Sequence, residues 1–370
     1  MAAELYKIGA SGIPLQASDL PSSTQEKPLS TKPSEDGLKQ QQMRIPDMFT
    51  SIMASEPVVN PNYDRVRRES DAWMEKILER SDDWEKYKYI DSSLMGAMWA
   101  PTTDVDGLRI VADWILWTGL FDDQFDDGDI GKDPKAAQEE TEKLLAIMDE
   151  KSPPVRWEEN PVWYAFQSVW DRLKKQERCN ELHQRYFKGL IMQAKVMHDQ
   201  REYTRDVQEY MEMRRHTIGA YPAISIVECL MGINLPKEVS AHPSLEEYVV
   251  GSLSNPEALT GNSANDICSY KKDLRMGDDH NLIKLLTEQG HSLQEAMDEV
   301  GAITNNCYKR WYTALANMDI WGEYIDRQVL AFLDICRDVA LGNLHWSFKT
   351  SRYLGIEGDK LHDTRVLTLP

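Results

Sequence analysis

The sequence predicts an all-α protein, a single large helical bundle of a size to enclose a cavity, and three observations carry that expectation. Apolar residues recur at three and four almost throughout the chain after about Pro46. No stretch alternates apolar and polar residues as a half-buried strand does, and no unit of roughly 20 to 50 residues repeats. The 370 residues, 41% hydrophobic and 28% charged, suffice for one large core.

Residues 1–45 are rich in Ser, Pro, Lys, Gln and Glu (PSSTQEKPLSTKPSEDGLKQQQ) and carry no apolar periodicity, so a disordered leader is expected there. Residues 46–370 are expected to form the one helical domain. Clusters of Pro, Gly, Asn and Asp, such as APTTDVDG, KSPPVRWEENP and SAHPS, end one helix and admit the next. The helix after APTTDVDG places Leu108, Val111, Ile115 and Thr118 on one face and runs into LFDDQFDD. Continuing that face by four and by eight residues reaches Asp122 and Asp126. Further on, Tyr210, Arg214 and Thr217 share a face, and Gly219 with Pro222 should break their helix and free a backbone carbonyl. A later helix carries Asn265, Ser269 and Asp273 at i, i+4 and i+8, after the small residues Ala258, Gly261 and Asn262.

Charge and targeting narrow the function. A net charge of −19 repels phosphate backbones and anionic lipid, which argues against nucleic-acid and membrane-surface partners. No apolar run approaches the ~20 residues of a membrane helix, and the start MAAELYKIGASGIPLQASDL lacks the pattern of a signal peptide. The five cysteines (Cys179, Cys229, Cys268, Cys307, Cys336) show neither CxxC nor Cys/His spacing. A soluble, cytoplasmic protein in a reducing compartment is the expectation, with monomer and homodimer both open.

The polar stripes point to chemistry. Two carboxylates that continue an apolar face need a cation to meet them, because burying them unpaired is very costly. Mg²⁺ suits such a pair, taking one or two carboxylates and completing its shell with water and phosphate oxygens. That makes a diphosphate-bearing substrate the natural partner. Taken alone, LFDDQFDD reads as well as an acidic helix end facing water. The amide, hydroxyl and carboxylate of Asn265, Ser269 and Asp273 can together hold one Mg²⁺, with Lys272 beside them offering a cation to phosphate. Asn and Ser are poor choices for a helix interior unless their side chains are used.

DDQFD followed about 140 residues later by NDICSYKKD resembles the class I terpene synthases, closest to the fungal sesquiterpene cyclases. RRHTIGAYP, from Arg214 to Pro222, is similar to that family's diphosphate-sensing segment, and Arg352-Tyr353 in HWSFKTSRYLG to its arginine-tyrosine pair. Trp99-Ala100-Pro101 and DWILWTGLFDD look like the corresponding fungal segments. The resemblance implies the class I terpenoid synthase fold and a lyase that ionises and cyclises an isoprenyl diphosphate with three Mg²⁺ ions. Its metal ligands would be Asp122, Asp126, Asn265, Ser269 and Asp273. Its diphosphate would meet Arg214 or Arg215, Lys272, Arg352 and Tyr353, with Asp122, Arg214, Arg352 and Tyr353 catalytic. Arg214 is favoured over Arg215 because it shares the face of Tyr210 and Thr217. Asp273 stands where the family usually has Glu, so the carboxylate is one methylene shorter.

Farnesyl diphosphate, cyclised to a sesquiterpene hydrocarbon or alcohol with release of diphosphate, is the substrate the resemblance implies; geranyl and geranylgeranyl diphosphate are the alternatives. Trp99, Trp117, Phe121, Phe125 and Trp346 are candidates to line the cavity, where an aromatic face stabilises a desolvated cation by ~1–2 kcal/mol; ordinary core packing is the other reading for each. A chain-elongating prenyltransferase should carry a second DDxxD, whereas this chain has NDICSYKKD and then DLRMGDDHN, which lacks the spacing. A silent helical scaffold would leave the polar ligands on inward faces unexplained.

Overall fold

Helix starts fall where the sequence punctuates. The computed structural model describes residues 41–78, 87, 89–126, 134–176, 206–217, 219–253, 260–277 and 281–369. Its helices are α1 (Tyr63–Ile77), α2 (Ser92–Trp99), α3 (Val105–Asp126), α4 (Pro134–Met148), α5 (Pro161–Leu173), α6 (Val207–Thr217), α7 (Ala220–Leu230), the single turn α8 (Lys237–Ser240) and α9 (Pro243–Leu253). They continue as α10 (Thr260–Met276), α11 (Leu282–Glu288), α12 (Leu293–Ala316), α13 (Glu323–Lys349) and α14 (Gly358–Thr364). KSPPVRWEENP ends on Asn160, whose side chain accepts from Trp163 N while Pro161 occupies the first helical position. Ser292 and Glu295 form a reciprocal capping box at the start of α12.

Two long helices organise the core. α3 packs against α1, α2 and α5, and α13 against α2, α7, α9 and α10. α12 lies against α9, α10 and α11. α3 is buried on every side over Leu108 and Ile110–Trp117, including one carboxylate, Asp113. Asp113 accepts from Ser70 Oγ of α1 (2.5 Å) and from Arg109 Nε through both oxygens (2.9 and 2.8 Å), and Arg172 Nη1 of α5 lies 2.8 Å away. Both guanidinium groups also lie 5.7 Å from the Trp73 ring. Losing one partner of such a buried cluster costs ~3–5 kcal/mol, so it fixes α1, α3 and α5 relative to one another.

The expectation of no strand is corrected at the chain ends. Strands β1 (Gln42–Arg44) and β2 (Val366–Thr368) pair antiparallel, with Met43 opposite Leu367. Three residues each are too few for a period of two to stand out, and the partner lies at the far end of the chain. Residues 41–45, assigned to the leader, therefore belong to the compact unit that runs to the C-terminal end, with Met43 and Ile45 buried. The rest of the expected leader lies outside the described residues. Among the described residues no helix is long and apolar enough to cross a membrane. Cys229, Cys268, Cys307 and Cys336 are buried free thiols.

Candidate active site

The acidic end of α3 divides its carboxylates differently from the stripe. Asp122 has 65% of its side chain accessible, whereas Asp123 has 5%. Asp123, which the stripe does not include, is the buried acid. Its Oδ2 accepts from Tyr87 Oη at 2.8 Å, and its Oδ1 lies 3.4 Å from Arg352 Nη2. The same guanidinium nitrogen is 3.6 Å from Asp122 Oδ2. The stripe does not predict this order because α3 is buried all round over Leu108 and Ile110–Trp117, so periodicity no longer selects one inward face. Asp122 nonetheless lies among protein groups: their packing holds its carboxyl above the ordinary range, opposed by the positive charges of Arg352, Lys272 and Arg214. Lys272 and Arg214 come from α10 and α6, so the two predicted motifs share one field. The side chains of Asp126, Phe125, Arg215 and Thr217 lie outside the described residues, as do Ala258 and the side chains of Gly261 and Asn262.

On α10 the three predicted oxygens lie on one face, and each has a partner. Arg214 Nη2 donates to Asn265 Oδ1 at 3.0 Å and to Asp266 Oδ1 at 2.7 Å. Asn265 turns its amide nitrogen the other way, donating to Tyr353 Oη at 3.1 Å. Ser269 Oγ donates to Asp273 Oδ2 at 2.5 Å, and both residues are buried. Asp266, beside Asn265 on α10, anchors the cluster: its Oδ2 accepts from Tyr210 Oη (2.8 Å) and Leu282 N (3.1 Å). Burial alone would lower the Arg214 pKa, yet Asp266 and Tyr210 hold it well above the ordinary value. Arg352 behaves alike: burial opposes its charge, and Tyr353, Asp123 and Asp122 more than restore it. Both guanidinium groups therefore stay cationic at every physiological pH.

Local structure explains these placements. α6 ends at Thr217, Gly219 adopts a left-handed φ of 75°, and α7 starts at Ala220. Pro222 has no N–H to return to the carbonyl four residues back, as the expected break requires. After α13, Ser351 Oγ donates to Tyr89 O (2.8 Å) and Lys271 Nζ meets Glu357 Oε2 (2.5 Å), which pins the segment carrying Arg352 and Tyr353 between the turn before α2 and α10. Among the described residues no three His, Cys, Asp or Glu side chains cluster to hold an ion. The α10 set is instead amide, hydroxyl and carboxylate oxygen, donors that fit a hard cation. A surface depression lined by Pro243, Ser244, Glu247, Arg310 and Asn317 contains none of these groups.

The aromatic candidates are largely packed. Trp346 is buried, and its indole N–H donates to Ile90 O (2.8 Å) while its ring meets Tyr353 edge-on at 5.7 Å. Trp99 packs beside Gly342 of α13. Trp117 is buried and stacks on the half-buried Phe121 at 5.2 Å. Asn281, Tyr87 and Asp266 escaped the sequence reading as site residues. Asn281 was accessible to it only as an N-cap, an Asn directly before the apolar Leu282-Ile283; Tyr87 left no signal.

Residues 113–310 match the family model described as "Terpene synthase family 2, C-terminal metal binding". The chain is 40% identical over 336 residues to a (+)-eremophilene synthase of Gibberella fujikuroi, covering 89% of this chain and 93% of that one. It is 36% identical over 355 residues to a (1R,4R,5S)-(-)-guaia-6,10(14)-diene synthase of Fusarium proliferatum, covering 91% and 87%. Among solved structures a cucumene synthase variant superposes with a TM-score of 0.68 at 20% identity, covering 80% of this chain and 98% of that one, which bears out the all-α fold.

Proposed function

The chain belongs to the terpene synthase family, and from that membership we propose that it is a sesquiterpene synthase, a lyase that ionises farnesyl diphosphate and cyclises the resulting cation. The observation that carries the site is the side chain of Asn265. It accepts from Arg214 and donates to Tyr353, so one amide joins three motifs far apart in sequence.

In this reading Asp122, Asp126, Asn265, Ser269 and Asp273 hold Mg²⁺, three ions in all, and Arg214, Lys272, Arg352 and Tyr353 hold the diphosphate. When bound, the metal supplies Lewis-acid stabilisation of the leaving diphosphate. The chain's own groups do the rest. Arg214 and Arg352, kept charged by their acidic neighbours, donate to oxygens on which negative charge grows as the carbon–oxygen bond breaks. The allylic cation left behind is protected by excluding water, a task suited to the apolar walls beside Trp117 and Phe121. The released diphosphate can take the final proton, so the reaction needs no side-chain base. We place this activity in the cytoplasm, in keeping with the free thiols.

The test is incubation with Mg²⁺ and, separately, geranyl, farnesyl and geranylgeranyl diphosphate, with volatile products identified by mass spectrometry. A fifteen-carbon cyclic product is expected from farnesyl diphosphate, and Asn265→Leu should lower kcat/KM by ~100-fold or more. Absence of product from all three, or formation of a longer diphosphate, would overturn the reading.

A further inference from the structure

The N-terminus of α11 abuts two of the three predicted donors of α10, Ser269 and Asp273, through one buried side chain. Asn281 is 1% exposed. Its Nδ2 donates to Asp273 Oδ2 at 2.8 Å and to the backbone oxygen of Asp266 at 2.8 Å, with Ser269 Oγ at 3.5 Å. Its Oδ1 accepts from Ile283 N at 3.0 Å and caps α11. The cap settles which end of the amide faces which way: with Oδ1 committed to Ile283, only Nδ2 can face α10.

We propose that Asn281 is a positioning residue for metal binding, holding the Asp273 carboxylate and the Ser269 hydroxyl in their ligating orientation. This rests on the proposal that Asn265, Ser269 and Asp273 are ligands. The shortness of the aspartate gives Asn281 its task. A carboxylate on one methylene has little reach, so its direction is set by whatever grips its oxygens. Asn281 and Ser269 both donate to Oδ2 of Asp273, which fixes the carboxylate plane about χ2. The same amide holds the Asp266 carbonyl, and Leu282 N holds the Asp266 carboxylate, so the start of α11 is clamped to the turn of α10 that bears the ligands. Groups of this kind, which touch ligands and not the ion, typically contribute ~10- to 100-fold in metal affinity.

Capping and positioning are separable. Asn281→Ser keeps a hydroxyl to accept from Ile283 N and is too short to reach Asp273, whereas Asn281→Ala loses both functions. The full-length protein is melted over a range of Mg²⁺ at fixed inorganic diphosphate, which gives the half-saturating Mg²⁺ concentration without turnover. Asn281→Ser is expected to raise that concentration ~10-fold or more while its metal-free melting temperature stays above that of Asn281→Ala, which also loses the cap. If Asn281→Ser keeps the wild-type Mg²⁺ dependence within about twofold while Asn281→Ala merely melts earlier, Asn281 is a helix cap alone and the proposal fails. If the wild-type protein shows no Mg²⁺-dependent shift, the ligand assignment itself fails, and this inference with it.

Discussion

At the scale of single residues, the groups that decide behaviour are charges placed where water is scarce. Glu228 on α7 is 9% exposed, and burial raises its carboxyl to about 8 from an ordinary value near 4.5. A carboxyl whose folded pKa is raised binds its proton more tightly in the folded state. Stability is thus unaffected below about pH 4.5, falls as the pH rises from there to 8, and stays reduced above it. Glu228→Gln should therefore raise the unfolding free energy by on the order of 3 kcal/mol at pH 9 and by almost nothing at pH 4. Urea titrations at the two pH values check this, and an equal effect at both would contradict it. Residue identity was legible in the sequence where oxygen donors recur at fixed spacing, as in Asn265, Ser269 and Asp273. The order of exposure at Asp122 and Asp123 was not legible, because the partners that enclose Asp123, Arg352 and Tyr87, arrive from remote parts of the chain.

At the scale of elements, the helical periodicity and the Pro, Gly and Asn punctuation located the helices well, and the break between α6 and α7 fell at Gly219. What periodicity could not supply was how elements meet. The start of α14 shows why. A Cβ built on Gly358 would lie 1.8 Å from the backbone oxygen of Phe348 in α13, a distance no rotamer change can relieve. Only glycine permits that approach, and nothing local in GIEGDK announces it. Gly358→Ala must push α14 away from α13 and, with it, Glu357, the partner of Lys271. A loss of at least about 2 kcal/mol is expected. Because Glu357 helps pin the Arg352-Tyr353 segment, KM for the diphosphate substrate should rise along with it. An alanine variant with wild-type melting and KM would show that α14 can reseat freely.

At the scale of the whole molecule, the described chain is closed at its ends. β1 and β2 pair through Met43 and Leu367, Ile45 N donates to Arg365 O (2.9 Å), and Leu369 N donates to Gln41 O (2.9 Å). Arg44 exchanges hydrogen bonds with Gln294 of α12 at 2.9 Å, so the clasp is fastened to the bundle. One two-stranded ribbon with three residues per strand would not survive in water on its own; its stability must come from the core it covers. Met43, Ile45, Leu367 and Leu369 do join the same buried cluster as α12 and α13. If the clasp belongs to the cooperative unit, weakening it lowers the stability of the entire bundle. Leu367 is 2% exposed, and Leu367→Ala is expected to cost ~2–4 kcal/mol. Urea unfolding should then show one transition, with a lower midpoint and an unchanged slope, because the folded state loses contacts without losing extent. A clasp that merely rests on the surface would behave differently: the variant would release residues 41–45 before the main transition, the slope would fall, and the midpoint would barely move.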